Sequence, residues 1–136
     1  MTVKVYCDAN IFIDYFDDRS DTLRPLKDFA FEFFSRGWNC NFSLVISDWL
    51  ETELLRHLKK EQINQIFNNF KEKDKLIMVK EERGDREKAK KISSHWQDPL
   101  HAILAKKAGA DFLATRNIKD FSGCEDLVEI VLPEFI

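Results

Sequence analysis

Several carboxylate and amide side chains of this 136-residue chain stand where a strand or a helix is predicted to begin or end. Asp8 directly follows a segment of alternating β-branched and polar residues, Glu53 lies in a helix after a second strand, and Asp98 opens a late helix. Asn117 and Asp120 follow a further strand. If the strands form a parallel sheet, these positions converge at one edge of it.

Carboxylates that converge in this way repel one another, and each raises the pKa of its neighbours unless a cation lies between them. Mg²⁺ prefers oxygen ligands and keeps several bound waters, so a few carboxylates are enough to hold it. A water on such a metal can attack phosphorus in line while the metal stabilises negative charge on the phosphoryl oxygens. The pattern therefore indicates metal-dependent hydrolysis at phosphorus.

Each of these acids also has a purely structural interpretation. Asp98 before Pro99 is a common N-cap pattern, because proline fits the first turn of a helix. Asp8 could be a turn residue after a strand. Glu53 could be a solvated helix residue, and the helical pattern alone does not distinguish it from Glu51. Only the placement of all these residues together indicates a functional site.

The elements that position these residues alternate between strands and helices. We predict strands at 2–7, 40–46, 76–79, 112–115 and 128–132, with helices between them, including one at 62–70 and one within 80–91. This alternation is typical of an α/β fold, and we expect three α/β/α layers with a central, mainly parallel sheet. Ligands of such folds bind beyond the carboxyl ends of the strands.

Capping residues predict where individual helices begin and end. A helix capped near residues 20–22 should end at Gly37. Ser47 is a good N-cap for the helix that follows the second strand. The helix that begins at Asp98 should end at Gly109.

Composition excludes several classes of protein. Hydrophobic residues make up 44% of the chain and charged residues 33%, which excludes fibrous and disordered proteins and fits one domain over residues 1–136. The net charge of −3 argues against a protein that holds nucleic acid mainly by a large basic surface, but not against a nuclease whose acids bind a cation. Three widely spaced cysteines indicate neither a disulfide framework nor a zinc cluster. Without a long apolar stretch or a signal peptide pattern, we expect a cytoplasmic protein that does not cross a membrane.

Four segments carry the polar residues in a characteristic order. Val5–Asp14 places Asp-x-Asn after a strand and before an apolar turn, and Ile46–Leu54 places a glutamate at a set distance from a serine. Asp98–Ala105 starts with an acid before a helix, and Asp111–Phe121 contains Thr-x-Asn-x-x-Asp-Phe. With the ending Val131–Phe135 included, the chain resembles the PIN-domain nucleases over nearly its whole length.

The resemblance implies a divalent-metal-dependent endoribonuclease that uses Mg²⁺ or Mn²⁺. Its catalytic residues would be Asp8, Glu53, Asp98 and Asp120. Its metal ligands would come from Asp8, Asp98, Asn117 and Asp120, and either Asn117 or Asp120 would be the fourth ligand, since Asn117 stands where many relatives have an acid.

In length and in the lack of added domains the chain is most similar to VapC-type toxins, which act on RNA and are inhibited by an antitoxin. The resemblance implies an RNA substrate, a protein antitoxin that binds an exposed apolar groove, and a homodimer. A housekeeping RNA-processing nuclease and a catalytically degenerate PIN domain for RNA binding or assembly are alternatives. A phosphotransferase of the haloacid dehalogenase type also has an Asp after its first strand, but Asn10 stands here where that class has a second acid.

Residues beside the motifs receive supporting roles. Asn10 belongs to the first motif, and Thr115 either donates a hydrogen bond to an acid of the site or simply ends its strand. Arg116 and Lys119 adjoin the site and are candidates for contact with substrate phosphate. His101, one turn into the third-motif helix, is interpreted as a packed histidine and not as a base.

Aromatic and basic residues outside the motifs have two interpretations. Trp38, Trp49 and Trp96 could stack on bases, but indoles more often belong to a core or a partner contact. Within the segment 80–91 acids nearly balance the basic residues, so we expect a solvated helix face there and not an RNA-binding track.

Overall fold

A parallel sheet of five strands lies at the centre of the protein. A computed structural model describes residues 2–17 and 25–136. The strands are β1 (Lys4–Cys7), β2 (Ser43–Ser47), β3 (Leu76–Val79), β4 (Phe112–Ala114) and β5 (Glu129–Val131). They lie in the order β3-β2-β1-β4-β5, and every neighbouring pair is parallel. The predicted α/β class and parallel sheet are confirmed.

Helices cover the sheet on both faces. They are α1 (Ala9–Phe16), α2 (Leu26–Trp38), α3 (Asp48–Leu54), α4 (Lys60–Glu72), α5 (Asp85–Ile92) and α6 (Gln97–Lys107), and two short 3-10 helices span Ile118–Phe121 and Pro133–Phe135. Helix α2 contacts α1 and α4, whereas α5 packs on α6, which contacts β3 and β4. Among the described residues, no helix combines the length and the apolar character that a membrane crossing requires.

Buried apolar side chains form one core between the sheet and the helices. Strand β2 is buried at every position, because it has a neighbour on each side and helices over both faces. On the α2 side the core is aromatic: the rings of Phe33 and Phe34 contact each other, Phe34 contacts Phe12, and Phe33 contacts Phe42.

Two predicted boundaries near β2 shift for local reasons. The predicted strand 40–46 starts only at Ser43, because Cys40 has a φ of 69°, which extended backbone does not adopt. The helix predicted to stop at Gly37 continues one residue further, since this glycine serves close packing and not termination. The predicted cap at residues 20–22 lies outside the described residues.

The start of α6 differs from the prediction. The helix begins at Gln97 with Trp96 in the N-cap position, so Asp98 stands inside the first turn and does not cap the helix. The end of the helix follows the prediction, because Gly109 takes the left-handed conformation with a φ of 73° directly after it. Because Asp98 does not cap the helix, its carboxylate is available for other contacts.

Gly37→Ala should destabilise the protein, although alanine ordinarily favours a helix over glycine by about 1 kcal/mol. A Cβ at this position would lie 2.5 Å from the Phe70 ring and 2.7 Å from the Phe42 ring, and both rings are buried. Overpacking of this kind costs about 1–3 kcal/mol, so we expect a net loss of about 1–2 kcal/mol in the free energy of unfolding. Urea denaturation measures it, with Lys27→Ala at an exposed position of α2 as the control. Unchanged stability of Gly37→Ala would contradict the packing described.

Candidate functional site

The candidate site lies at the carboxyl end of the sheet, where the strand order reverses. Strand β1 has β2 on one side and β4 on the other, which leaves a crevice beyond the ends of these strands. Asp8 follows β1, Ser47 ends β2 and Thr115 follows β4. Polar residues that are distant in sequence therefore meet at this edge.

Asp8 is held in one orientation by hydrogen bonds to both of its oxygens. Oδ1 accepts from the amide of Ala9 at 2.7 Å, so Asp8 caps α1, and Oδ2 accepts from the hydroxyl of Thr115 at 2.8 Å. Only 7% of the residue is exposed. Burial raises the pKa of Asp8, and the neighbouring His101 and the Thr115 hydrogen bond oppose this rise. Its role as a helix cap thus fixes the Asp8 carboxylate at a buried position, where the charged form is unfavourable.

Asp8, Glu53 and His101 come together around one point. One ligand atom from each lies within 4.8 Å of the other two. Glu53 Oε1 forms a hydrogen bond with His101 Nε2, which lies 4.0 Å from Asp8 Oδ1. The other candidate glutamate, Glu51, forms an ion pair with Lys60 at 2.7 Å instead. The structure therefore distinguishes two glutamates that the helical pattern could not.

His101 is fully buried, and its second ring nitrogen is also bound. Nδ1 lies 2.6 Å from the hydroxyl of Tyr6, which in turn lies 2.6 Å from the hydroxyl of Ser47. A carboxylate can only accept, so Nε2 donates to Glu53; in the neutral imidazole Nδ1 then accepts from Tyr6, and Tyr6 accepts from Ser47. Ser47 also accepts from the amide of Leu50 as the predicted N-cap of α3. This chain of hydrogen bonds fixes the position of Glu53.

The acids around His101 favour the charged form of its ring. Burial lowers the pKa of His101, but the hydrogen bond to Glu53 and the charges of Asp8, Glu53 and Asp98 outweigh burial, so the pKa is raised above its usual value. The interpretation of His101 as a packed histidine is therefore incomplete. It is packed, and it also orients an acid of the site. Its position three residues after Asp98, on the same side of α6, is the sequence signal that could have indicated this.

Asp98 stands half-buried at the rim of this group. Burial and the charge of Asp8 raise the pKa of Asp98 to about 7; Asp120 and Glu53 add to the rise, and His101 opposes it. The charges of Asp8, Asp120 and Glu53 thus act on Asp98, with a single imidazole among the four carboxylates. A divalent cation relieves such an excess of negative charge, and carboxylate oxygens are the ligands that Mg²⁺ and Mn²⁺ prefer. The donor set fits either ion.

An open cleft of about 440 Å³ leads away from the acids. Asp98 and Asp120 line it, and so does Lys119, one of the residues expected to contact phosphate. The remaining lining residues are Ser93, His95, Gln97 and Ser122.

The remaining predicted residues tie the loops after β1 and β4 together. Asn10 donates to the hydroxyl of Thr115 at 3.3 Å and accepts from the amide of Arg116 at 3.2 Å. The Arg116 guanidinium donates to the buried carboxylate of Asp14 at 2.9 Å, an ion pair that the sequence did not indicate. Asn117 is exposed, and its backbone amide donates to Thr115 at 3.1 Å.

The metal-free protein should lose stability between about pH 4 and pH 7 because of Asp98. With the folded-state pKa raised to about 7, the folded state binds more protons than the unfolded state in this range, so the free energy of unfolding falls as pH rises. After allowance for solvent screening of a half-buried side chain, the effect is about 1–2 kcal/mol. Chemical denaturation in chelator should show a flatter pH profile for Asp98→Asn than for the wild type. Glu32→Gln, an exposed acid of α2, should keep the wild-type profile; identical profiles for Asp98→Asn and the wild type would contradict the coupling.

Tyr6→Phe should destabilise the protein more than Tyr15→Phe, although each removes only a hydroxyl. Loss of the Tyr6 hydroxyl leaves Ser47 and Nδ1 of His101 without this partner in a buried site, which costs about 1–3 kcal/mol. The half-buried Tyr15 keeps its ring contacts in the matched variant. Equal midpoints for the two variants in urea would argue against the hydrogen-bond chain.

Comparison with known proteins finds a structure with a similar fold, but no family model and no curated protein that matches the sequence. No protein-family model matches the chain, and no curated protein matches it. The structure is similar to a chain in the crystal structure of VapBC2 from Rickettsia felis bound to a DNA fragment from their promoter, with a TM-score of 0.58 and 17% identity. The match covers 96% of this chain and 98% of that chain. The protein thus has a PIN-like α/β/α fold with a central parallel sheet.

Proposed function

We propose that this protein is a divalent-metal-dependent endoribonuclease, which hydrolyses RNA phosphodiester bonds as the toxin of a toxin–antitoxin pair. The observation that carries the proposal is the meeting of Asp8, Glu53 and His101 within 4.8 Å of one another at the carboxyl end of the sheet. Beside them, burial and the charges of Asp8, Asp120 and Glu53 raise the pKa of Asp98 to about 7. The order of the four sequence motifs and the PIN-like fold support the same activity.

In this proposal Asp8, Asp98 and Asp120 would hold Mg²⁺ or Mn²⁺. When bound, the ion would lower the pKa of water and stabilise negative charge on the phosphoryl oxygens. Asp120 is favoured over Asn117 as a ligand, because Asp120 acts on the pKa of Asp98 and lines the same cleft. The Asn117 side chain would not be a metal ligand.

The other residues of the site would position the acids and the substrate. Thr115 holds Asp8 in place, and His101 holds Glu53, which would accept a proton from the attacking water. Lys119, at the cleft, would contact a substrate phosphate. We assign Arg116 mainly to the ion pair with Asp14.

As a toxin, the proposed nuclease would also bind other protein chains. The toxin assignment is supported by the likeness in fold to a chain of the VapBC2 complex and by an exposed apolar surface on α2, where Phe31 is 55% exposed and stacks on Tyr15. We propose that an antitoxin segment covers this surface and that the protein forms a homodimer in the cytoplasm. An antitoxin gene beside this one would separate a toxin from a housekeeping RNA-processing enzyme.

RNA cleavage by the purified protein should require Mg²⁺ or Mn²⁺ and should stop in chelator. Glu53→Gln and Asp98→Asn should each lower the cleavage rate at least about 100-fold, because each removes a charge from the reacting centre. Glu51→Gln is the matched control, since Glu51 lies on the same helix but pairs with Lys60. A panel of structured and single-stranded RNAs, separated on gels, provides the measurement.

Two outcomes would contradict this proposal. Cleavage that persists in Asp98→Asn would indicate a contaminating nuclease. Metal binding without cleavage, by folded protein free of any partner, would favour a degenerate domain that binds RNA or serves assembly.

A further inference from the structure

We propose that Trp96 and Arg86, with the cations around them, form a subsite that stacks one base of single-stranded RNA beside the carboxylate cluster. The subsite deepens the proposed function and rests on it for the identity of the ligand. The contacts that build it do not involve the metal.

Two indole rings, tilted by 39° to each other, and three cations form one aromatic–cation cluster. The ring centroids of Trp49 and Trp96 lie 5.3 Å apart, and the Arg86 guanidinium lies 4.4 Å from the Trp96 centroid and 5.3 Å from the Trp49 centroid. Lys90 Nζ lies 6.0 Å from the Trp96 ring, and the Arg56 guanidinium lies 5.8 Å from the Trp49 ring. Within residues 2–17 and 25–136, every such cation contact with an aromatic ring involves these two indoles. Stacking platforms that alternate with cations are typical of proteins that bind single-stranded nucleic acid.

Hydrogen bonds hold two members of the aromatic–cation cluster, Arg86 and Trp49, in place. Arg86 donates to both carboxylate oxygens of Glu81 at 3.1 and 3.0 Å, and the Glu81 amide donates to Asp48 at 2.9 Å. The Trp49 indole donates to the carbonyl of Gln97 at 3.2 Å. Side chains that are already ordered lose less entropy when a ligand binds. Arg86 and Trp49 are therefore already ordered before RNA binds.

The aromatic–cation cluster lies next to the acids of the site. Trp96 stands two residues before Asp98 at the start of α6, and the Trp49 ring centroid lies 6.2 Å from that of His101. Trp49 is only 6% exposed, whereas Trp96 is half-buried and can offer ring surface to a ligand. An RNA whose phosphate reaches the carboxylates would thus place a nearby base at Trp96.

The charges around α5 also favour RNA binding more than the sequence of the segment 80–91 indicated. Lys107 of α6 pairs with Glu82 and Asp85, each at 2.7 Å, and so takes up two of the acids that balanced the segment 80–91. Lys90 is exposed beside Trp96 and lies 3.8 Å from the exposed carboxylate of Glu87, a pair that solvent screens. One half-buried indole matches the area of a base, but it is far smaller than the roughly 800 Å² that a stable protein partner covers.

The test measures binding of a labelled single-stranded oligoribonucleotide by fluorescence anisotropy, with the full-length protein in chelator so that metal-dependent cleavage is absent. Trp96→Leu should weaken binding about 5- to 100-fold, while Trp96→Phe should keep most of the affinity because a ring remains. Arg86→Lys should also weaken binding, since lysine keeps the charge but loses the planar stack. Lys90→Ala should weaken binding, and Lys71→Ala, in the last turn of α4, is its matched control.

The outcomes separate this inference from the nuclease proposal. With Mg²⁺, Trp96→Leu should raise KM and leave kcat nearly unchanged. Equal binding by the wild type, Trp96→Leu and Trp96→Phe would overturn the subsite even if the wild type cleaves RNA, and so would the absence of RNA binding by the wild type. Binding that depends on Trp96 without cleavage would overturn the nuclease proposal and support the subsite. A change of molar mass in light scattering for Trp96→Leu, with RNA binding intact, would make the surface a protein interface and overturn the inference.

Discussion

The parallel pairing of β1 with β4 is the constraint on which the site depends. Cys7 pairs in register with Ala114, so the next residue on each strand, Asp8 and Thr115, leaves the sheet at the same level. The hydrogen bond between these two side chains then joins the two loops across the point where the strand order reverses. A slip of one residue in this register would move the Thr115 hydroxyl to the other face of the sheet and leave the Asp8 carboxylate without it.

The site combines strong local order with unfavourable electrostatics. Asp8 is fixed by its role as a helix cap and by a threonine hydroxyl, and Glu53 by a buried chain of hydrogen bonds, which limits how far these two acids can move apart. Burial of apolar side chains in one core between the sheet and the helices offsets this cost. Such tension between a stable scaffold and a destabilising site is common where a protein must bind a cation or a charged transition state.

Sequence patterns predicted those parts of the structure that depend on neighbouring residues. The run 76–79 is an apolar segment between charged residues, and it forms β3 at the predicted bounds. The Ser47 cap was also predictable, because the cap and the amide that it binds are three residues apart. His101 was harder to place, since its partner Tyr6 is 95 residues away and Glu53 is 48 residues away. The same limit applies to the segment 80–91, because the lysine that pairs with two of its acids, Glu82 and Asp85, belongs to another helix.

The double role of Asp8, as helix cap and as charged group, has an evolutionary consequence. Asparagine caps helices about as well as aspartate, and the aspartate and asparagine codons differ by one nucleotide. A single mutation could therefore remove the charge while α1 keeps its N-terminal hydrogen bond. Lineages that no longer need the chemistry could lose it without loss of the fold, and the remaining surfaces would then be free to evolve under selection for binding alone.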